Sequence, residues 1–357
     1  MGTKRLASLD ALRGFDMLLI SGLAVLVSSL CNAFDASGCW LDLQMKHAVW
    51  DGLKLYDTVF PLFLFITGVT FPFSYEKHKD HIYKKIFSRT AVLILLGLIY
   101  NGGLRLDFSN MRFYSVLGRI GAAWMAASLF FVWFGKKLRA VIGIVILVGY
   151  WFLCMIPAPD VIGSDPLSME GCLAGWVDRC ICPGHLYNGT FDPEGLLGTI
   201  PAIVTAMLGM FAGELLKKEE MSGNRKALAL LCAAAVLLVT GLVWSIWFPV
   251  NKQLWTSSFV LIVGAYSTAM LALFYWVIDV KGWRKWAFPL KVVGMNSITI
   301  YLLYRIIDFR EISSFFFGGL ASLCPEAWGK VILSAGSLFV VWLVMYFLYK
   351  QKVFLKV

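Results

Sequence analysis

Long apolar stretches recur along the chain, and most polar residues lie in the shorter segments between them. A helix needs about 20 mostly apolar residues to cross a bilayer, because the hydrocarbon core offers its backbone groups no hydrogen-bond partners. Ten stretches approach this length, and they predict membrane-spanning helices at residues 15–31, 57–74, 90–104, 113–134, 140–157, 195–215, 227–248, 257–278, 288–307 and 331–349. We therefore expect an all-α polytopic bundle in which residues 1–357 form a single transmembrane domain.

The composition of the chain agrees with this pattern. Of the 357 residues, 59% are apolar and 15% are charged, whereas soluble domains have about 45–50% apolar and about 25% charged residues. The mean hydropathy is +0.74. These values exclude a soluble globular enzyme, a disordered chain and a β-barrel, whose alternating strands seldom give such a high mean hydropathy.

The positive charges predict the orientation of the bundle. Of the 32 Lys and Arg residues, 22 lie in alternate segments on one side of the predicted spans, including both termini. Cytoplasmic loops carry such an excess, so we expect both termini in the cytoplasm and long outer loops at 32–56 and 158–194. The same bias explains the net charge of +10 without a nucleic-acid partner. The first span lacks a cleavage site for a signal peptide.

Cysteine and histidine spacing suggests no metal centre. Six of the eight cysteines lie at or beyond the predicted outer face, where an oxidising environment permits disulfides. No Cys/His spacing resembles a zinc site, so we expect no metal.

The first charged cluster precedes and enters the first predicted span. Asp10, Arg13 and Asp16 follow one another at three-residue spacing, which places them near one face of a helix, and Arg5 begins the same run. Ionisable groups within a span are costly unless they are paired or functional. This charged stripe fits either an anionic ligand at the cytoplasmic mouth or an internal ion pair that anchors the helix.

The second cluster contains His47, Asp51 and Asp57, before and at the start of the second span. Histidine exchanges a proton near neutral pH, and a neighbouring carboxylate can orient its ring and stabilise its cationic form. The structural alternative is a loop histidine that only packs against Trp50.

Two further polar groups lie at or within predicted spans. Asp192 and Glu194 frame a proline, so they either cap a helix or hold an amino or hydroxyl substrate at the outer mouth. Asn296 and Ser297, followed by Tyr301, either join helices or line a cavity.

Six runs together resemble the transmembrane heparan-α-glucosaminide N-acetyltransferase family and its short bacterial relatives. They cover most of the chain: Arg5-Leu-Ala-Ser-Leu-Asp-Ala-Leu-Arg-Gly14, Lys46-His-Ala-Val-Trp-Asp-Gly52, Asp57-Thr-Val-Phe-Pro-Leu-Phe63, Asp192-Pro-Glu-Gly-Leu-Leu-Gly-Thr-Ile200, Asn251-Lys-Gln-Leu-Trp255 and Gly294-Met-Asn-Ser-Ile298. The large luminal domain that precedes the first run in the animal enzymes has no counterpart here, which favours a short form in the bacterial inner membrane.

The resemblance implies an acyltransferase domain that carries acetyl groups across a membrane. Acetyl-CoA would enter from the cytoplasm, and the amine of glucosamine or of a terminal glucosaminide would be acetylated at the opposite face. His47 falls on the family's catalytic histidine and would act as the general base, with Asp57 or Asp51 orienting it. An acetyl-histidine intermediate is the alternative.

The remaining roles are hypotheses from the same resemblance. Asn296 and Ser297 would donate hydrogen bonds to the thioester carbonyl oxygen. Further contacts to the acceptor would come from Asp192, Glu194 and Trp50. Contacts to the cosubstrate would come from Arg13, Asp10, Arg5 and Tyr301. Besides the amino sugar, the partners are membrane lipids, with a homodimer as one option.

Two other functions remain open from the sequence. A membrane O-acyltransferase acting on a glycan or lipid would use the same histidine and the same CoA path. A transporter of a small polar or anionic solute would also place charges within spans, and it would show paired halves with Gly- or Pro-broken helices. We find no such pairing of halves.

Overall fold

The computed structural model describes residues 6–107, 110–161, 163–182 and 184–355. These ranges contain fifteen α-helices and, apart from two isolated bridges, no β-structure. The helices are α1 (Ala7–Leu18), α2 (Ala24–Ala33), α3 (Trp40–Gln44), α4 (Val59–Tyr75), α5 (Ile82–Tyr100), α6 (Val116–Trp133), α7 (Lys136–Cys154), α8 (Leu173–Ile181), α9 (Leu196–Lys217), α10 (Gly223–Trp244), α11 (Ser257–Phe274), α12 (Phe288–Gly294), α13 (Ser297–Ile306), α14 (Phe309–Ser322) and α15 (Glu326–Lys350).

The predicted all-α membrane bundle is confirmed. In the described part of the chain, eight continuous helical segments are long and apolar enough to cross a membrane. One of these segments, 55–100, holds both α4 and α5, joined by a 3-10 turn in which His78 leaves helical backbone angles. The predicted span 288–307 is divided between α12 and α13. The number of ten spans and the cytoplasmic termini stay predictions.

The centre of the bundle is formed by α4, α9 and α11, and α7 and α10 form part of its periphery. About two-thirds of the most apolar window is buried in the segments containing α4 and α11, against 28% in α7 and 22% in α10. Val145 of α7 and Val236 of α10 are more than 60% exposed. Apolar side chains exposed on a membrane helix face lipid, because lipid tails solvate them as well as a protein core does.

Close helix contacts depend on glycine. Gly209 of α9 packs directly on the backbone of Phe65 in α4, and a Cβ built there would collide with the Phe65 carbonyl oxygen. Gly14 of α1 and Gly294 of α12 meet in the same way, each lying on the backbone of the other helix. Small residues allow membrane helices to approach this closely. Gly14 and Gly294 both belong to the six runs that carry the family resemblance. Their contacts show that these two glycines have a packing role.

The first helix differs from its prediction at both its start and its middle. The predicted span 15–31 extends as α1 and α2 from Ala7 to Ala33, with a π-helical segment at Leu19–Leu23 between them. Within that segment Gly22 has a φ of 115°, a left-handed value that favours glycine. At the start of α1, the Asp279 carboxylate accepts hydrogen bonds from the backbone N–H groups of Ala7 and Ser8.

The sequence did not predict α14. This helix has only 14 residues, carries Arg310 and Glu311 in its first turn, and packs along α15. A helix this short falls below the length that identifies a membrane span. The search for spans therefore selected the longer stretch at 331–349 and not this amphipathic segment before it.

Three loops meet at the end of the bundle that carries His47. The Gly52 N–H donates to the Val250 carbonyl oxygen at 2.7 Å, next to an isolated bridge between Asp51 and Asn251. The Trp50 indole N–H donates to the Leu167 carbonyl oxygen at 2.9 Å. These contacts fix the loop that carries His47 against the segments before α8 and α11.

Replacing Gly209 with alanine should destabilise the bundle, because the new methyl group would force α4 and α9 apart. We expect a loss of about 1–3 kcal/mol, the usual cost of overpacking. Gly149→Ala in α7 is the matched control, since a Cβ at Gly149 would meet no atom within 4 Å. Thermal unfolding in detergent measures both variants, and equal melting temperatures would contradict the close contact.

Candidate functional site

His47 lies on the loop before α4, and its ring contacts Asp57 in the 3-10 turn Leu55–Thr58. The His47 Nδ1 atom is 2.7 Å from Asp57 Oδ1. An ionised carboxylate only accepts hydrogen bonds, so we assign the Nδ1–H tautomer to His47 from this contact. The other ring nitrogen, Nε2, then has a free lone pair, and it forms no hydrogen bond with the described residues. The His47 side chain is about half exposed, so this nitrogen can accept a proton.

The Asp57 carboxylate holds the whole loop in place. Its Oδ2 atom accepts the backbone N–H groups of Ala48 and Lys54, each at 3.1 Å. Asp57 itself is 1% exposed. The Asp57 carboxylate cannot rotate freely, because its Oδ2 atom binds two backbone N–H groups. Its Oδ1 atom is therefore held in one place and orients the His47 ring.

Lys252 is the third ionisable residue of this site, beside His47 and Asp57. Its Nζ atom lies 3.3 Å from Asp57 Oδ1 and 3.1 Å from His47 Nδ1. Burial lowers the pKa of Lys252, although the Asp57 and Glu194 carboxylates oppose that shift. A lone lysine in a loop predicts no role by itself, but Lys252 stands in the run Asn251-Lys-Gln-Leu-Trp255, which is one of the six runs that carry the family resemblance.

Asp51 and Trp50 support the loop and do not touch the imidazole. The Asp51 Oδ1 atom accepts the Asn251 side-chain amide at 3.2 Å. Trp50 packs edge-on against Phe191 with ring centroids 5.5 Å apart. Of the two carboxylates offered as partners of His47, the structure therefore brings Asp57 to the ring.

Asp192 and Glu194 are ion-paired to Arg112. The Arg112 guanidinium binds both Asp192 oxygens, at 2.8 and 2.6 Å, and also pairs with Glu194. Burial alone would lower the pKa of Arg112, but the two carboxylates outweigh it and raise that pKa. Asp192 also accepts the backbone N–H groups of Tyr187 and Glu194. Both Asp192 oxygens are thus occupied, whereas Glu194 keeps one oxygen outside the pair with Arg112.

The start of α9 is capped by a residue that the sequence did not indicate. Asp192 had been considered as its cap, but α9 begins at Leu196, and the Leu196 N–H donates to Asp178 Oδ1 at 3.0 Å. Burial raises the pKa of Asp178 to about 6, although the Leu196 N–H and the Tyr114 hydroxyl oppose the shift. Asp178 comes from α8, so only the tertiary structure brings it to this helix.

Asn296 and Ser297 point to different neighbours. The Asn296 amide donates to the Val353 carbonyl oxygen at 2.9 Å, and its oxygen accepts the Leu355 N–H at 3.3 Å. The Asn296 side chain thus contacts the segment after α15, and its donation to a thioester carbonyl oxygen stays a prediction. Ser297 and Tyr301, one helical turn apart, line a narrow apolar cavity of about 50 Å³ together with Phe60 and Phe63 of α4.

The charged stripe of α1 lies at the opposite end of α4. Arg13 contacts Asp10 at 3.8 Å and Thr70 of α4 at 3.4 Å, and it remains about one-fifth exposed. Arg89 of α5 lies within electrostatic range of Arg13 and stacks over Trp124 at 4.4 Å. These two arginines place positive charge at this end of the bundle.

Asp16 does not continue the exposed stripe, because it is wholly buried and neither carboxylate oxygen has a hydrogen-bond partner among the described residues. Arg5 lies outside the described residues. In the described ranges, no three His, Cys, Asp or Glu side chains gather as metal ligands.

The two charged regions are separated along α4 and linked by apolar surface. From Asp57 to Thr70 the chain advances 13 residues, or about 20 Å at 1.5 Å per helical residue. The narrow cavity lies between them, because Met17 and Ile20 of the first helix line it as well as Phe60 and Phe63. At about 50 Å³ the cavity is smaller than a ligand pocket, so a long neutral chain could pass here only if the lining side chains moved apart.

The chain is similar in sequence to two curated proteins named heparan-alpha-glucosaminide N-acetyltransferase. The human protein is 29% identical over 367 aligned positions, which cover 85% of this chain and 53% of the human protein. The mouse protein is 28% identical over 421 positions, which cover 99% of this chain and 61% of the mouse protein. No family model matches. The chain thus spans little more than half the length of these relatives, and the resemblance read from the six runs is confirmed.

The raised pKa of Asp178 predicts a pH dependence of stability. The folded carboxyl has a pKa of about 6, against about 3.9 when unfolded, so the folded state holds this proton more tightly. The stabilisation from this group is complete below about pH 4, falls as the pH rises to about 6 and stays low above that. Asp178→Asn cannot ionise, so its stability relative to wild type should rise by up to about 3 kcal/mol between pH 4 and pH 7.

Thermal unfolding at both pH values measures this difference. Asp165→Asn, at an exposed residue of the preceding loop, is the control and should follow wild type at both pH values. If wild type and Asp178→Asn differ in melting temperature by the same amount at both pH values, the raised pKa of Asp178 is contradicted.

Proposed function

This chain is a relative of the heparan-alpha-glucosaminide N-acetyltransferases, and from that premise we propose that it transfers acetyl groups from acetyl-CoA to the amine of glucosamine or a terminal glucosaminide. The observation that carries the proposal is the arrangement along α4. An oriented imidazole lies at one end, arginines lie at the other, and a narrow apolar cavity lies between them.

The arginine end suits the nucleotide part of acetyl-CoA. Its phosphates are anionic, and guanidinium groups bind phosphate through paired hydrogen bonds. Arg13, with Asp10 holding it, and the neighbouring Arg89 supply this charge. We expect this end to face the cytoplasm, because the segments there carry most of the basic residues. The bacterial inner membrane and the homodimer stay predictions.

The apolar lining of the cavity matches the neutral pantetheine arm in chemistry, and the lining side chains would have to move apart to admit it, because the cavity has a volume of only about 50 Å³. The arm would extend about 20 Å along α4 and present the thioester near His47. Phe60 and Phe63 exclude water from this path, which protects the thioester from hydrolysis. The Ser297 hydroxyl, which lines the same cavity, is the remaining candidate donor to the carbonyl oxygen.

His47 acts as the general base at the other end. Its Nε2 atom takes a proton from the amino sugar, and the amine then attacks the thioester carbonyl. A C–N bond forms and the C–S bond breaks. The second proton that the nitrogen loses on becoming an amide goes to the departing CoA thiolate, and His47 releases its proton to water. Asp57 keeps the Nδ1–H tautomer and stabilises the imidazolium that forms. The Glu194 oxygen outside the pair with Arg112 would accept a hydrogen bond from the amino group of the acceptor.

His47→Ala should remove the base and lower kcat/KM by at least about 10²–10⁴-fold, the range of general base catalysis. Transfer of radiolabelled acetyl groups from acetyl-CoA to amino-sugar and hydroxyl acceptors measures this in purified protein. The variant should still bind CoA. His185→Ala, at an exposed loop histidine, is the control and should keep its activity. Turnover near normal in His47→Ala would refute the base role, and acetylation of hydroxyls alone would refute the amine acceptor.

Asp57→Asn should cause a loss of similar size, about 10²–10⁴-fold in kcat, because an amide at this position favours the wrong tautomer of His47. Asp51→Asn should lower kcat less than about tenfold, since its carboxylate contacts Asn251 and not the imidazole. Size-exclusion chromatography checks that both variants are folded. If Asp51→Asn instead lost as much activity as Asp57→Asn, Asp57 would not be the sole orienting group.

A further inference from the structure

Two cysteines lie side by side between the end of α2 and the start of α3. Cys31 is in the last turn of α2, and Cys39 is the residue before α3. The Cys39 thiol donates to the Cys31 sulfur across 3.7 Å. Both residues are thiols in this structure. A disulfide holds its sulfurs about 2.05 Å apart, so a bond between these two requires a rotation of the side chains that brings the sulfurs closer.

The turn between the two cysteines holds them next to each other. The Ala36 N–H donates to the Cys31 carbonyl oxygen at 2.8 Å, and the Cys39 N–H donates to the Ala36 carbonyl oxygen at 3.1 Å. Asp35 and Gly38 have φ values of 54° and 76°, left-handed angles that reverse the direction of the chain. The backbone itself thus gives the two cysteines the proximity that a disulfide requires.

Cys39 is the more reactive of the two thiols. It is partly exposed, whereas Cys31 is buried. The Asp42 N–H donates to the Cys39 sulfur at 3.5 Å. This bond lowers the pKa of the Cys39 thiol, although burial and the Asp42 carboxylate oppose the shift. Because a thiolate and not a thiol attacks a disulfide, an oxidant reaching this end of the bundle would react first with Cys39.

The short helix α3 connects the cysteine pair to the loop that carries His47. The Asp42 carboxylate accepts a hydrogen bond from the Lys46 ammonium at 2.7 Å. The Gln44 side-chain oxygen accepts the Leu55 N–H at 2.8 Å. Lys46 directly precedes His47, and Leu55 begins the 3-10 turn before α4. A bond that fixes the start of α3 to α2 would therefore restrain the His47 loop at both of its ends.

From these contacts we propose that Cys31 and Cys39 form a disulfide that ties α2 to α3 beside the His47 loop. The pair borders the predicted outer loop 32–56, where an oxidising environment supplies small-molecule or protein disulfides as the oxidant. The site is independent of the proposed acetyl transfer.

The bond forms by two thiol–disulfide exchanges. The Cys39 thiolate attacks one sulfur of the oxidant disulfide, which gives a mixed disulfide and releases one thiolate. Cys31 loses its proton and attacks the Cys39 sulfur, which closes the bond between the two cysteines and releases the second thiolate. The cysteine pair loses two protons and two electrons, and the oxidant disulfide gains them as two thiols.

Oxidation of the purified wild-type protein with glutathione disulfide tests the proposal. The remaining thiols are alkylated, and the protein is digested with chymotrypsin, which can cut between the two cysteines at Phe34. Mass spectrometry should then find a peptide pair that joins Cys31 to Cys39 and is lost after treatment with dithiothreitol. Cys180→Ser, at an exposed cysteine of α8, is the control and should keep the link.

Cys39→Ser should abolish the link and leave Cys31 open to alkylation. The variant should fold, because a serine hydroxyl also accepts the N–H of Asp42 at a helix start. If both thiols of wild type stay open to alkylation after oxidation, or if either one joins Cys324 instead, the proposal is wrong.

Thermal unfolding measures whether the bond holds α2 to α3. Dithiothreitol should lower the melting temperature of oxidised wild type by about 3–8 °C more than that of Cys39→Ser, because a cross-link restricts the unfolded chain. An equal decrease in the two proteins would overturn the restraint that the disulfide is proposed to impose.

Discussion

The buried carboxylate of Asp57 is the contact on which the candidate site depends. It binds the His47 ring, two backbone N–H groups of the preceding loop and the Lys252 ammonium. A single charged group thus joins α4, the loop before it and the loop before α11. A carboxylate buried to this degree is costly unless all its partners are present, so the same network that orients the imidazole also holds three segments together.

The bundle separates two kinds of surface that a transmembrane transfer reaction requires. Arginines collect at one end of α4 and the imidazole lies at the other, with phenylalanines between them. The central helices can pack this closely because glycines such as Gly209 and Gly294 let backbones touch. Where helices pack this closely the space between them is small, as in the apolar cavity of about 50 Å³ beside α4.

Several polar residues that the sequence singled out have hydrogen-bond partners within the fold, and one residue that had no assigned role lies in the candidate site. Asn296 holds the segment after α15, Asp192 is saturated by Arg112 and by backbone donors, and Asp51 binds Asn251. Lys252 instead contacts both His47 and Asp57. Polar residues at membrane depth need partners whether or not they take part in chemistry, so their presence in the sequence cannot by itself separate the two cases.

The sequence by itself determined that the chain is a helical membrane protein, where most of its helices lie, and which histidine to examine, because hydrophobic length and side-chain chemistry are local properties. Tertiary structure alone decided the partners: Asp57 and not Asp51 on His47, Asp178 as the cap of α9, and Asp279 as the cap of α1. The two helix caps join residues that are far apart in the chain. Whether Asp51 or Asp57 reaches His47 depends on the geometry of the loop between them. Hydrophobic periodicity carries no information about which loops meet at the end of a bundle.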